Sequence, residues 1–353
     1  MTQAQDFKSA SKGADQNVAH FEERKSALSK LQHILHGNPA LVPLIVLLGL
    51  IAFFGIFAGD RFFRASTLTL VMQQVAVVGI LAAAQTLVIL TAGIDLAIGV
   101  IMVFSFVIMG NMVVSYGMPA GVALLAGFLM AAACGFANGT LVARLKLPPF
   151  IVTLGTWNII MAICLIYSRN ETMRETDVTA ATPWLHVFAI NFSVGPAVVT
   201  LGVIAMILLY VALWFMLNHT AFGRHIYAVG DDPEAAELAG ISTKKVLIGV
   251  YTLAGVIAGL AAWVSIGRNG SISPSSVVTD FNLQAITATV IGGISLFGGR
   301  GSILGVLFGT LIVGIMSMGL NMMNADPQWK VLLTGVLIIA AVAVDQWIRK
   351  VSA

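Results

Sequence analysis

Charge is scarce in this sequence. Of 353 residues only 10% are Asp, Glu, Lys or Arg. A soluble domain carries about 25%, so a water-exposed globular fold is excluded. Cysteine is also rare: Cys134 and Cys164 are the only two. Both fall inside apolar runs, at a spacing that fits no metal pattern, and read as small buried filler residues that say nothing of redox compartment. The phosphate-cradling pattern G-x-x-x-x-G-K-[ST] is absent, so no nucleotide site of that kind is expected in this chain. No basic stripe combines with stacking aromatics, which argues against a nucleic-acid partner. No catalytic constellation is present, and the chain reads as a non-enzyme.

What the sequence has instead is grease. Hydrophobic residues make up 58% of it. Apolar runs lie near 40–58, 67–91, 94–110, 119–141, 150–168, 196–217, 246–266, 283–298, 302–323 and 330–347. Most approach the ~20 residues needed to cross a bilayer. The fold class expected is therefore an all-α polytopic membrane protein with about ten transmembrane helices. The stretch 67–110 is too long for one span and must turn, best at "TAGID". The stretch 283–323 divides in the same way at "GGRGS", and Pro148–Pro149 separates the fourth run from the fifth.

Basic residues orient the spans. Lys8, Lys12, Arg24, Lys25 and Lys30, then Arg144 and Lys146, then Arg224, Lys244 and Lys245, then Arg300, Arg349 and Lys350 all fall on one side of a ten-span chain. Both termini are then cytoplasmic. Residues 169–195 form the large external loop and 218–245 the large cytoplasmic one. Arg61, Arg64, Arg169, Arg174 and Arg268 are exceptions. Residues 1–38 form a polar cytoplasmic tail, too long and too acidic for a secretory signal. Within it Leu28, Leu31 and Leu35 have helical spacing, which fits either an interfacial helix or a disordered tail. Residues 39–353 form the transmembrane domain.

Two segments are not ordinary grease. The first is "LVILTAGIDLAIGVIM" at 87–102, where Asp95 sits between Gly93 and Gly99. A carboxylate inside a span costs about 2.5–3.5 kcal/mol on the insertion scale. Asp95 either caps the helix after the turn or lines a transport pathway; the two are compatible, and a proton relay lacks a second acid nearby. An echo, "GGISL" at 292–296, repeats "AGIDL" at 92–96 with Ser295 in place of Asp95. Gln85 precedes one copy and Gln284 the other, which suggests a two-repeat build. Asn138, Trp157 and Asn158 are further pathway candidates, with helix-to-helix hydrogen bonding as the ordinary alternative.

The second segment is "GRHIYAVGDDPEAAELAGIS" at 223–242. Asp231 or Asp232 can cap a helix that begins at Pro233, carries Glu234 in its first turn and ends at Gly240. Ala235, Ala236 and Ala239 give it a small-residue face. Such a helix suits docking into a cleft on a partner, and an ordinary capped loop explains it equally well.

These segments, with "NGTLVARLKLPPFIVTLGT" at 138–156 and "IGGISLFGGRGSILGVLFG" at 291–309, resemble the permease subunits of bacterial ABC sugar importers of the ribose, xylose, galactose and fructose type. The likeness is greatest to fructose import permeases of alpha-proteobacteria and covers roughly 40–353. It implies the two-repeat importer architecture in a bacterial inner membrane. It also implies a second permease copy as a homodimer, a cytoplasmic ATPase dimer that holds Mg-ATP, a periplasmic sugar-binding protein and a monosaccharide substrate. No cofactor or metal is expected on this chain itself. Under the resemblance, 231–240 becomes the ATPase-coupling helix, and Gly223, Arg224 and Gly230 match the family pattern around it. Thr153, Leu154 and Gly155 match a family motif with no role evident beyond packing. A permease for another small solute such as branched-chain amino acids, or a stand-alone secondary sugar transporter, is the alternative.

Overall fold

The computed structural model describes residue 38 and residues 40–275 and 281–349. The expected tail, with Leu28, Leu31 and Leu35, lies outside the described residues. Thirteen α-helices follow in the described chain: α1 Leu41–Ala58, α2 Ala65–Leu90, α3 Ile98–Val114, α4 Ala120–Leu145, α5 Pro149–Ser168, α6 Glu175–Ala181, α7 Leu201–His219, α8 Ala221–Asp231, α9 Pro233–Leu238, α10 Thr243–Asn269, α11 Phe281–Ile291, α12 Ile303–Met322 and α13 Pro327–Arg349. Each of the ten apolar runs becomes a helix. Eight are long and apolar enough to cross a membrane.

The eighth run is shorter than its hydropathy implied. The expected span 283–298 ends as a helix at Ile291, because residues 292–302 turn. Eleven residues rise about 16 Å, roughly half of a ~30 Å hydrocarbon core. The sixth run loses its first residues to a strand and becomes helical at Leu201. Segment 169–195 is built rather than loose. It holds α6, a 3₁₀ turn Pro183–Ala189 and strand β1 Asn191–Val194. β1 pairs antiparallel with β2, Ala197–Thr200, with Asn191 opposite Thr200. The hairpin is pinned to the start of α2, since Val198 N donates to Thr69 Oγ1 at 2.9 Å.

Helix α2 is the axis of the bundle. Every residue from Val75 to Leu90 is buried, so its lack of an apolar stripe follows from burial on all sides. Helices α4 and α10 lie against each other through small residues. A Cβ on Gly135 would stand 2.2 Å from Tyr251 O, and one on Gly255 2.3 Å from Ala131 O. This is close backbone packing of the kind used where no water drives helices together. The outer helices show the inverse of a soluble protein. Ile56 on α1 is 78% exposed, Ile166 on α5 79% and Ile339 on α13 72%. Large aliphatic side chains in such numbers on the outside suit hydrocarbon.

Candidate functional site

Both ends of α2 matter, and the end at Leu90 matters more. The helix stops in a turn where Ala92 N donates to Ile89 O at 2.9 Å and Gly93 N to Val88 O at 3.1 Å. Ala92 takes the left-handed conformation, with φ 58°. Such paired bonds satisfy the last carbonyls of a helix. Helix α11 ends in the same motif: Gly293 N donates to Val290 O at 3.0 Å and Ile294 N to Thr289 O at 3.3 Å. The sequence echo is therefore an echo of structure. It is offset by one position, because the left-handed residue is Ala92 in one copy and Gly293 in the other. Helices α2 and α11 pack side by side, with Thr289 Oγ1 donating to Ala82 O at 3.1 Å.

The segment 91–97 then turns back into the bundle, where four helices hold it. From α2, Gln85 grips the backbone of Asp95. With its amide oriented to match donors to acceptors, Gln85 Nε2 donates to Asp95 O at 3.1 Å and Asp95 N donates to Gln85 Oε1 at 3.1 Å. From α5, Thr153 Oγ1 accepts from Leu96 N at 3.1 Å and stands 3.0 Å from Ile94 O, to which it can donate. From α11, Asn282 Nδ2 donates to Leu96 O at 3.2 Å. From α10, the Tyr251 hydroxyl lies over Gly93, 2.7 Å from where a Cβ would sit. The Asp95 carboxylate turns inward and closes a tight turn just before α3: Oδ1 accepts from Ala97 N at 2.7 Å. A buried carboxylate that accepts a backbone N–H group beside a helix start has its charge partly offset.

The expected coupling segment is ordered. Thr220 caps α8 by accepting from Gly223 N at 3.2 Å, and Gly223 sits in the tight corner between α7 and α8. Asp232 is the cap of α9: its Oδ1 accepts from Glu234 N at 2.9 Å and Ala235 N at 3.0 Å, with Pro233 at the first position. Gly240 N donates to Glu237 O at 2.9 Å and Ile241 N to Ala236 O at 3.0 Å, closing the helix. Arg224, Asp231, Pro233, Glu234 and Ala235 are exposed, and Gly230 is buried. The expected small-residue face is divided, however. Ala236 is buried and turned into the protein, while Ala235 and Ala239 face out. A six-residue helix cannot present three such positions on one outward face when one face must pack. The side chain that dominates the outer face is Leu238, 91% exposed. Sequence reasoning passed over it, although a lone leucine among Ala and Glu was the available signal.

The pathway candidates do not converge on one pocket. Gln85, Gly93 and Asp95 meet at the turn. Asn138 is buried on α4, with no partner for either amide atom among the described residues. Trp157 is half-buried, and Asn158 is exposed on α5, where it donates to Leu154 O at 2.9 Å. Gln284 lies with Gln74, Thr310 and Gly314 between α2, α11 and α12. Ser295 is buried and donates to Asp345 Oδ2 on α13 at 2.9 Å. It borders a cleft of 490 Å³ whose walls are mostly apolar: Val42, Val46, Ile294, Leu337 and Ala341. Thr153 and Asn282, not singled out as site residues, are integral to the turn. No group of three His, Cys, Asp or Glu side chains among the described residues could hold a metal ion.

A bundle of long apolar helices with large aliphatic side chains on its outer faces is the architecture of a multi-pass membrane protein. The comparisons make the class specific. Residues 67–342 match the family described as "Branched-chain amino acid transport system / permease component", and the chain belongs to that family. It is 56% identical over 351 residues to the fructose import permease protein FrcC of Rhizobium meliloti, covering 99% of this chain and 97% of that one. It is 35% identical over 306 residues to the ribose import permease protein RbsC of Escherichia coli K12, covering 87% and 92%. It is 33% identical over 301 residues to the D-allose transport system permease protein AlsC of the same organism, covering 85% and 90%. No solved structure gives a match.

Proposed function

We propose that this chain is the membrane permease of a bacterial sugar importer and that fructose is its substrate. ATP is hydrolysed by a separate subunit pair that carries the Mg-ATP, and α9 is the element that docks on it. The observation that carries this reading is the 56% identity, over nearly the whole of both chains, to a fructose import permease. The design of α9 supports it. A helix capped at both ends, with Leu238 outside, is a rigid body offered to a partner's apolar cleft. The charge pattern supports an inner-membrane location with both termini cytoplasmic. Arg144, Lys146, Arg224, Lys244, Lys245 and Arg300 gather at the α9 end. The opposite end, with α6 and the hairpin, then receives a sugar-loaded binding protein from outside. The bare outer faces of α5 and α13 suit lipid, and one of them suits a second copy of this chain, so that sugar passes between or through paired permeases.

On this reading no single tight sugar site is required within the permease. Affinity resides in the external binding protein, and the scattered Gln85, Asn138, Trp157, Asn158, Gln284 and Ser295 serve helix contacts rather than one pocket. The test is reconstitution of the permease with its ATPase and its binding protein in liposomes, with uptake of radiolabelled fructose, ribose and leucine. ATP-dependent fructose uptake that requires all components is the expected result. Uptake of leucine instead would favour a branched-chain amino acid permease. Uptake by the permease alone under a proton gradient would overturn the reading in favour of a secondary transporter.

A further inference from the structure

Three chain segments far apart in sequence meet at the base of α9, and they meet chiefly through backbone. They are the end of α2 at Leu90–Ala92, the end of α8 at Gly230–Asp231, and Gly298–Gly299 in the turn after α11. Gly299 N donates to Leu90 O at 3.0 Å. A Cβ on Gly230 would stand 1.8 Å from that same Leu90 O and 2.7 Å from Gly299 N. A Cβ on Gly298 would stand 2.5 Å from Gly230 O and 2.8 Å from Ala92 N. A Cβ on Gly299 would stand 2.7 Å from Asp231 Cα. Gly298 and Gly299 are both left-handed, with φ of 82° and 69°. The neighbours are main-chain atoms and the Cβ atoms of Ala92 and Asp231, fixed to that main chain, so none can swing aside as a long side chain can.

We infer that Gly230, Gly298 and Gly299 are the positioning residues of a joint that transmits motion of α9 to the Asp95 turn. The inference rests on the reading of α9 as the ATPase-docking helix. The physical reason is stiffness. Asp232, the cap of α9, follows Gly230 by two residues, and its N donates to Ala228 O at 3.1 Å. Displacement of α9 therefore moves the end of α8. Backbone packed on backbone has no rotamers to absorb that displacement. It passes to Leu90 and Ala92, and so to the turn 91–97 that Gln85, Thr153 and Asn282 hold. It passes equally to the turn 292–302, where Ser295 meets Asp345 of α13. Tyr227 adds a second tie, its hydroxyl donating to Gly301 O at 3.0 Å. Both halves of the structural echo are thus fastened to one lever.

Two measurements test this. In the first, Gly298→Ala is reconstituted with the ATPase and the binding protein. The new methyl displaces Gly230 O and opens the joint, while α9 keeps its caps and its outer face. The expected result is normal co-purification of the ATPase and retained basal ATP hydrolysis, with loss of both uptake and its stimulation by loaded binding protein. Wild-type uptake and stimulation in that variant would overturn the inference. The second measurement uses the unaltered complex, so folding of a variant is not at issue. Hydrogen exchange is followed in the permease before and after addition of the ATPase, and in the full transporter with and without a non-hydrolysable ATP analogue. Exchange in 90–97 and 293–301 is expected to change together with 228–240. A change confined to 228–240 overturns the joint and leaves docking standing. No change in 228–240 on addition of either the ATPase or the analogue overturns docking and the joint together.

Discussion

Replacing Gln85 with leucine separates a brace from a pathway residue. The side chain is fully buried near the end of α2 and pairs with both main-chain groups of Asp95 at 3.1 Å. Leucine fills nearly the same volume and makes neither bond. Asp95 N–H and C=O are then left in an apolar interior. An unsatisfied buried group costs about 1–3 kcal/mol, whereas hydrogen bonds between membrane helices average about 0.6 kcal/mol in mutant cycles. Two orphaned groups with little room for water place the loss at about 2–4 kcal/mol. That is roughly a 30- to 1,000-fold fall in the folded-to-unfolded ratio. Thermal unfolding of the purified permease in one detergent, with Gln284→Leu as control, measures it. The control is half-buried and away from the turn, so its cost is expected to stay within about 1 kcal/mol. If Gln85→Leu unfolds with the wild type and its uptake is unchanged, the brace does not exist. If it keeps full stability but loses uptake, Gln85 belongs to the pathway instead.

Other substitutions probe the remaining contacts. Asp95→Asn keeps an oxygen for Ala97 N and is expected to fold and transport, whereas Asp95→Ala loses about 1–2 kcal/mol of stability in the same melt. Equal loss in both would mean that the charge, and not the hydrogen bond, is what matters. Leu238→Asp is expected to abolish co-purification of the ATPase without lowering the melting temperature. Ala236→Trp, because Ala236 is buried, is expected to lower the melting temperature first and ATPase binding only as a consequence. Gly135→Val forces α4 and α10 apart at Tyr251 O and is expected to leave little folded protein by fluorescence-detected size exclusion.

Much of this protein could be read in one dimension. The helices follow from runs of apolar residues. The cap at Asp232–Pro233, the stop at Gly240, the turn at "TAGID" and the break at Pro148–Pro149 follow from residues within a few positions of one another. These are local effects of solvation, ring geometry and hydrogen bonding to the nearest N–H, so a window of a few residues holds the information. Family resemblance adds the class of transporter on the same footing, since motif order is also a property of the chain.

Position in space is a different matter. Hydropathy is blind to where a helix gives way to a turn, and α11 ends at Ile291, seven residues before its apolar run does, because residues 292–302 turn onto Leu90. Periodicity on a six-residue helix is too short to say that Ala236 faces in and Leu238 out; packing of α9 on its neighbours decides that. Thr153 had no evident task in sequence, because its partner Leu96 is 57 positions away. The bond from Ala97 N to Asp95 spans two residues and is local. That its backbone is held by Gln85, and its turn by α5, α10 and α11, is a property of the folded bundle. Sequence by itself determined which segments enter the membrane and where they cap. Tertiary structure alone decided which turns touch, because those contacts bring the main chain of one segment against glycines of another, and a glycine leaves no chemical mark beyond its missing side chain.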